Sequence, residues 1–171
     1  MKKLMIASAI AMTMAAGSAM ANTGDVKFFG NVSEITCDLT PDVGGNVINT
    51  IQLGTVAANG TGADIPFTLK ATSNAGGCAS LTGKTADVTW SGSLTDQGFA
   101  NQGGLANGAY VAIKTVNGKT SAEQAVNASQ STVAFDAAKA TTDGFQFKAT
   151  LHGGDTAGDF QTAAAYAVTY K

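Results

Sequence analysis

The chain has 171 residues, of which only 13% are charged, so a single domain able to bury its own core is the default expectation. All ten basic residues are lysine, and twelve acidic residues outnumber them. Without arginine or a basic cluster, the composition argues against nucleic-acid binding and against electrostatic attachment to a membrane surface.

The first residues follow the three-part plan of a bacterial secretory signal peptide. Two lysines after Met1 precede an apolar run over Leu4–Met14, and small residues follow at Ala19–Ala21. We expect cleavage after Ala21, so that residues 1–21 are a signal peptide and 150 residues with a net charge of −4 remain. The protein is therefore expected to be exported to the periplasm.

Gly24–Val32 alternates with a period of two, which predicts a half-buried strand. One face carries Gly24, Val26, Phe28, Gly30 and Val32, and the other carries Asp25, Lys27, Phe29 and Asn31. This strand could fold onto its own domain, or it could serve a neighbouring molecule. Periodicity alone leaves both interpretations open.

The next predicted strands are separated by turn residues. Strand character continues to Leu39, where Pro41 is expected to end it because proline cannot donate a ladder hydrogen bond. Residues 47–53 read as a strand with Val47, Ile51 and Leu53 inward, and residues 65–71 alternate cleanly.

The middle of the chain combines two predicted strands with a long loop. Residues 86–90 place Trp90 in the core, whereas residues 91–108 read as a loop in which Phe99 and Leu105 are the apolar anchors. A strand follows over Tyr110–Val116, with Val111 and Ile113 inward, and Asn117-Gly118 indicates a hairpin.

The last third predicts three more strands. Residues 121–131 remain a loop or a short helical turn, and residues 132–135 form a short strand. Asp143-Gly144 turns the chain into a strand with Phe145, Phe147, Ala149 and Leu151 inward, and residues 162–170 form the last one. Seven or eight short strands without helical crossovers predict an all-β antiparallel sandwich.

Cys37 and Cys78 are the only cysteines, and in an oxidising compartment one disulfide is the expected state. A reactive or metal-binding pair is disfavoured because the two residues are far apart and His152 is the only histidine. His152 is in phase with polar, outward residues, so neither a hydrolase nor a metal site is expected. We therefore expect no cofactor and no enzyme activity.

The two ends of the exported chain resemble chaperone-usher pilins, the subunits of bacterial fimbriae. The C-terminal strand ends in alternating aromatics over Tyr166–Lys171, with Gly158 fourteenth from the end. Gly24–Cys37 is similar to the N-terminal Gly-x-Val-x-Phe-x-Gly-x-Val block of that family and its first cysteine. Ile51–Gly54 and Asp87–Gly92 also match, and the likeness is greatest to major subunits of enterotoxigenic Escherichia coli fimbriae.

The resemblance implies an incomplete immunoglobulin-like sandwich that is completed by a donated strand. Residues 22–32 would be the donor-strand extension, with Val26, Phe28, Gly30 and Val32 as its contacting positions, and residues 33–171 the pilin domain. The acceptor-groove and chaperone-binding strand would include Gly158, Tyr166, Val168 and Tyr170. The implied partners are neighbouring copies in a surface fimbria, a periplasmic chaperone and an outer-membrane usher.

Two other functions remain open at this stage. The subunit could itself be a glycan-binding adhesin, because the polar loop over residues 91–108 and Lys114, Lys119 and Lys139 could meet an acidic sugar. Alternatively, the chain could be a self-contained secreted β-sandwich whose N-terminal strand folds back on its own domain.

Overall fold

A computed structural model describes residues 37–71 and 76–171 of the chain. Within these ranges the chain forms ten strands and two short 3₁₀ helices, Gly76–Cys78 and Ala137–Thr141. The strands are β1 (Leu39–Val43), β2 (Asn46–Val47), β3 (Thr61–Ala71), β4 (Thr85–Gly92), β5 (Phe99–Ala100), β6 (Tyr110–Thr115), β7 (Ala125–Val126), β8 (Thr132–Asp136), β9 (Phe145–His152) and β10 (Ala164–Tyr170).

The strands build two sheets, and every pairing between them is antiparallel. The larger sheet has the order β2-β1-β3-β9-β6-β5, with β7 also paired to β6. The smaller sheet has the order β10-β4-β8. Side chains of both sheets form one hydrophobic core between them, which confirms the predicted all-β, immunoglobulin-like antiparallel sandwich.

Aromatic side chains from both sheets fill the centre of the sandwich. Phe67 of β3 stacks on Phe147 of β9 with ring centroids 5.3 Å apart, and the Trp90 ring of β4 meets Phe147 edge-on at 5.4 Å. These separations suit the electrostatics of aromatic pairs. Trp90 is 5% exposed, and buried and less buried residues alternate along β9, so the predicted inward set of β9 is confirmed.

The prediction of a strand over residues 47–53 is wrong about pairing and about an inward Val47, and right only about the inward positions of Ile51 and Leu53. Only Asn46–Val47 is a strand, and the Val47 side chain is 63% exposed. Glycines with positive φ at 44 and 45 form a tight hairpin that ends at Val47. Ile51 and Leu53 nevertheless pack against the core as predicted, although they belong to no strand of the described residues.

Pro41 does not end the first strand. It lies inside β1, opposite Leu69 of β3, and its carbonyl accepts a hydrogen bond from the Ile48 amide at 3.1 Å. A strand tolerates proline at a position where its backbone nitrogen does not have to donate a hydrogen bond to a neighbouring strand, and Pro41 occupies such a position in β1.

Three turn and loop predictions also need correction. Asn117-Gly118 is not a two-residue hairpin, because a longer connection joins β6 to β7, and the Asn117 side chain instead bonds Gly144 O at 3.0 Å. Phe99 is fully buried as predicted, but Leu105 is 77% exposed and is not an anchor of its loop in the core. Residues 121–131 contain β7 and no helical turn.

Candidate functional site

A groove of about 1040 Å³ lies along one side of the sandwich and reaches between the sheets, down to core side chains that are at most 6% exposed. Its floor consists of core side chains of both sheets, namely Phe67, Leu69, Trp90, Phe99, Val111, Ile113, Ala149 and Leu151. Residues 48–58 form one wall, and residues 153–166 contribute the other. A groove with such an apolar floor is unfavourable in water unless something covers it.

The first wall is an extended segment that lacks strand pairing. From Asn49 to Val56, no backbone group makes a backbone hydrogen bond with another described residue. Ile51 and Leu53 are half-buried, whereas Gln52 and Gly54 between them are exposed. The segment therefore has the side-chain alternation of a strand without a partner strand.

The second wall includes the first residues of β10. Among the described strands, β10 is the outer strand of the smaller sheet and pairs only with β4, from Ala164 opposite Gly92 to Tyr170 opposite Ala86. Ala164 and Tyr166 line the groove, and Val168 packs against the core beyond it. Of the C-terminal residues named from the sequence, Tyr166, Val168 and Tyr170 thus lie along one strand, and Tyr166 is the one of these three that lines the groove.

Gly158 lies on the same wall, upstream of β10. A Cβ atom at this position would lie 2.7 Å from the carbonyl carbon of Leu105, a distance that real Cβ contacts do not show. Glycine is therefore needed here because two backbone segments pass too close for a side chain.

Two tyrosine hydroxyls tie β10 across the sandwich to the first described residues. Tyr166 Oη donates to the Leu39 carbonyl at 2.8 Å, and Tyr170 Oη donates to the Cys37 carbonyl at 3.1 Å. We call these two bonds the tyrosine clasp. The sequence indicated that the C-terminal tyrosines matter, but not these bonds, which join residues 127 and 133 positions apart.

The clasp predicts a loss of stability at alkaline pH. Burial, with a smaller contribution from Asp38, raises the pKa of Tyr170 to about 12, and burial also raises the pKa of Tyr166. The unfolded chain releases the Tyr170 proton near pH 10, so stability should be complete below pH 10 and fall as the pH rises toward 12. Urea unfolding of Tyr170→Phe should depend less on pH in this interval than unfolding of the wild type.

Tyr110→Phe is the matched control, because Tyr110 stacks on His152 and is not part of the clasp. It should still lose stability as the pH rises from 10 toward 12, because the Tyr170 bond of the clasp is intact. If Tyr170→Phe and the wild type lost the same stability between pH 9 and pH 12, the role given to the Tyr170 hydroxyl would be wrong.

Cys37 and Cys78 are joined by a disulfide with Cα atoms 4.7 Å apart, as the sequence predicted. Cys37 is 5% exposed and belongs to the core cluster. The bond therefore fixes the start of the described chain to the core, at the same residue whose carbonyl the Tyr170 hydroxyl binds.

The surroundings of the histidine and of the acidic residues can be stated for the described ranges. His152 is stacked on Tyr110, and its Nδ1 lies 3.3 Å from Thr61 Oγ1. No group of three or more His, Cys, Asp or Glu residues in the described part could hold a metal ion. Among the same residues, none of the helices has the length and apolar character needed to cross a membrane.

The three lysines named for glycan contact have different surroundings. Lys119 pairs with Asp136 at 3.7 Å, and the Lys139 ammonium group donates to the Asn117 carbonyl at 3.0 Å. Lys114 is exposed on β6. Two of the three ammonium groups are therefore already held by acceptors of the protein.

The proposed donor residues Val26, Phe28, Gly30 and Val32 lie outside the described residues, as does the signal-peptide boundary at Ala21. Their roles rest on the sequence alone. The structure describes the groove that would receive them, and not the strand itself.

Comparison with known proteins finds relatives that span the whole chain. It is 68% identical over 171 residues to the F107 fimbrial protein of Escherichia coli, with full coverage of both chains. It is 33% identical over 183 aligned positions to the K99 fimbrial protein of Escherichia coli, with 99% coverage of each. The major MR/P fimbria protein of Proteus mirabilis is 27% identical, with 100% and 99% coverage. No protein-family model matches the chain.

Two solved structures are also similar at low sequence identity. A chaperone-usher pilus structure has 17% identity and a TM-score of 0.46, with 88% of this chain and 96% of that chain covered. The P pilus rod subunit PapA has 15% identity and a TM-score of 0.46, with 86% and 100% covered.

Proposed function

The chain belongs to the family of the F107 and K99 fimbrial proteins and is a structural subunit of a surface fimbria, and on that premise we propose that it is assembled by a chaperone and usher and polymerises by strand donation. The groove of one copy receives residues 24–32 of the next copy. The observation that carries this proposal is the apolar groove beside β10 and the unpaired segment over residues 49–56.

The donor stretch has the length and pattern that the groove requires. Nine residues of strand span roughly 30 Å, and period-two alternation lets one face enter the groove while the other faces solvent. Burial of Val26, Phe28 and Val32 contributes on the order of 5 to 8 kcal/mol before the strand's ordering is subtracted. Gly30 lets the donor backbone approach the groove floor where a side chain would not fit.

The backbone of the donated strand also satisfies hydrogen-bonding groups that the groove leaves open. A strand placed between residues 49–56 and the start of β10 can bond to both walls. Strand addition at a sheet edge is a recurring mode of recognition, and pilin complementation is among its standing examples. The contact is heterologous, because groove and donor strand are different surfaces, and such contacts build open filaments.

Before assembly, the same groove needs a temporary cover. We expect a periplasmic chaperone to cap it after export, with an outer-membrane usher releasing the subunit into the growing fibre. The apolar groove supports this step, because an uncapped subunit would leave the groove unfilled and the backbone groups of residues 49–56 without a partner strand.

The direct test is removal of residues 22–32 from the exported chain. We expect the truncated subunit to be recovered in complex with a chaperone but not in fibres, because its groove is intact and its donor strand is absent. Fibres are counted by electron microscopy, and the chaperone is detected by periplasmic co-purification. Fibres of wild-type abundance from this variant would contradict strand donation.

Glycan binding remains a separate prediction for the same subunit. Its sequence basis is the polar loop over residues 91–108 together with Lys114, Lys119 and Lys139. Because Lys119 and Lys139 bond within the protein, the exposed Lys114 is the first of the three lysines to test. Binding of purified fibres to a glycan array tests this role. The result bears on adhesion and leaves the strand-donation proposal unaffected.

A further inference from the structure

One exposed leucine sits on a loop that the protein holds in a fixed shape. The Asn101 side-chain amide donates to the carbonyls of Gly104 at 2.8 Å and Ala106 at 3.0 Å, and its oxygen accepts the Gln161 amide at 2.9 Å. Leu105 lies between these bonded residues and is 77% exposed. An apolar side chain presented to solvent by a fully bonded loop is a candidate contact for another molecule.

The loop lies at the end of the groove where β10 begins. Its backbone bonds to the segment leading into that strand, from Ala106 N to Asp159 O at 3.0 Å and from Gln102 N to Gln161 O at 2.7 Å. Ala106 and Asp159 both line the groove. Leu105 therefore lies directly beside this mouth of the groove.

The domain of the donating copy must sit close to one mouth. Only residues 33–36 separate the end of the donor stretch from Cys37, where the described domain of the donating copy begins. Four residues span at most about 14 Å even when fully extended. Two domains joined in this way cannot avoid contact at that mouth.

The direction of the donated strand decides which mouth it is. Every strand pair in the described residues is antiparallel, so an added strand is expected to run antiparallel to β10 as well. Val32 would then lie beside Ala164, at the start of β10. The donating domain consequently emerges at the mouth that carries Leu105.

The distribution of charged side chains also favours contact between the Leu105 mouth of one copy and the Cys37 end of the donating copy. Asp155 and Asp159 are exposed beside this mouth, and the chain has no lysine over residues 85–113 or 149–170. At the opposite end of the sandwich, Lys70 lies opposite Thr40, three residues after Cys37, and Lys84 directly precedes β4. None of these four charged groups forms a salt bridge within the described residues.

We propose that Leu105, Asp155 and Asp159 form a docking surface for the end of the donating copy that carries Cys37, Lys70 and Lys84. This inference rests on the proposed strand donation and adds a second contact to it, between the folded domains. Leu105 supplies the apolar contact, and the carboxylates face the lysines of the incoming domain. Such a contact fixes the angle between consecutive subunits, which the donated strand alone does not determine.

Hydroxyl-radical footprinting of the wild-type protein tests the surface without any substitution. Oxidation of Leu105 is compared between the monomeric subunit and assembled fibres, with the exposed Val47 on the edge strand β2 as the internal control. We expect at least fivefold protection of Leu105 in fibres and unchanged oxidation of Val47. Unprotected Leu105 in fibres would overturn the proposal.

A zero-length carbodiimide cross-link identifies which part of the neighbour covers the surface. We expect links from Asp155 or Asp159 to Lys70 or Lys84 that appear only in fibres, because these groups lie at opposite ends of one domain. Links from the two aspartates only to Lys114 or Lys148 would contradict the proposed orientation. Oxidation of Phe28 is measured in the same footprinting experiment. If Phe28 stays unprotected in fibres, the strand-donation proposal is wrong. If Phe28 is protected and Leu105 is not, only the docking surface is wrong.

Discussion

Phe28→Arg is expected to abolish fibre assembly while the subunit is still exported and captured by its chaperone. The phenylalanine is the largest side chain on the donor face, and its burial contributes about 2 to 3 kcal/mol. An arginine in its place would bring a charge without a partner onto the apolar floor that includes Phe67 and Trp90, which costs several kcal/mol more. Fibre yield should fall below the detection limit of electron microscopy.

Phe29→Arg is the matched control, since it introduces the same residue one position later on the opposite face of the strand. On our account its side chain faces away from the groove floor, and fibres should form at a yield within about twofold of the wild type. Equal loss of fibres in both variants would show that the strand's two faces are not distinguished, and the assignment of Val26, Phe28 and Val32 to the groove would be wrong.

Replacing both cysteines, Cys37→Ser with Cys78→Ser, is expected to produce the largest loss of stability among the described residues. The bond closes a loop with a sequence separation of 41, for which chain entropy predicts a loss on the order of 4 kcal/mol. A serine at position 37 would also place a hydroxyl in the core. The free energy of unfolding is measured from urea titrations of the oxidised wild type and the double variant.

Reduced wild-type protein separates the two contributions to that loss. It lacks the cross-link but keeps the sulfur atoms in the core, so its stability should fall between those of the oxidised protein and the double variant. If the double variant unfolded at the same urea concentration as the oxidised wild type, the disulfide would not be a main support of this fold.

Alternation along single strands made much of the sandwich predictable. The inward residues of β4 and β9 follow a strict period of two, so burial could be read directly from the sequence. Long-range contacts could not be read in this way. The Tyr170 bond to Cys37 joins residues 133 positions apart, and Asn101 and Asn117 act as bridges between loops that no local pattern indicates.

The error at residues 47–53 has an explanation in the proposed function. Ile51 and Leu53 have the phase of strand residues, yet the described chain offers this segment no partner. A strand pattern in the sequence without a strand in the subunit is expected where the partner comes from another molecule. Leu105 is the converse case, because an apolar residue predicted to anchor its own loop lies on the surface.

The central claim is that the strand filling the groove belongs to another copy, and a photo-cross-linking amino acid at position 28 tests it most directly. Benzoylphenylalanine there keeps an aromatic ring, and illumination of fibres that contain two differently tagged chains reports which chain it contacts. We predict covalent links between the two tags, mapped to groove residues such as Trp90 or Tyr166. Links confined to single chains would instead mean that each subunit fills its own groove, and would contradict assembly by strand donation.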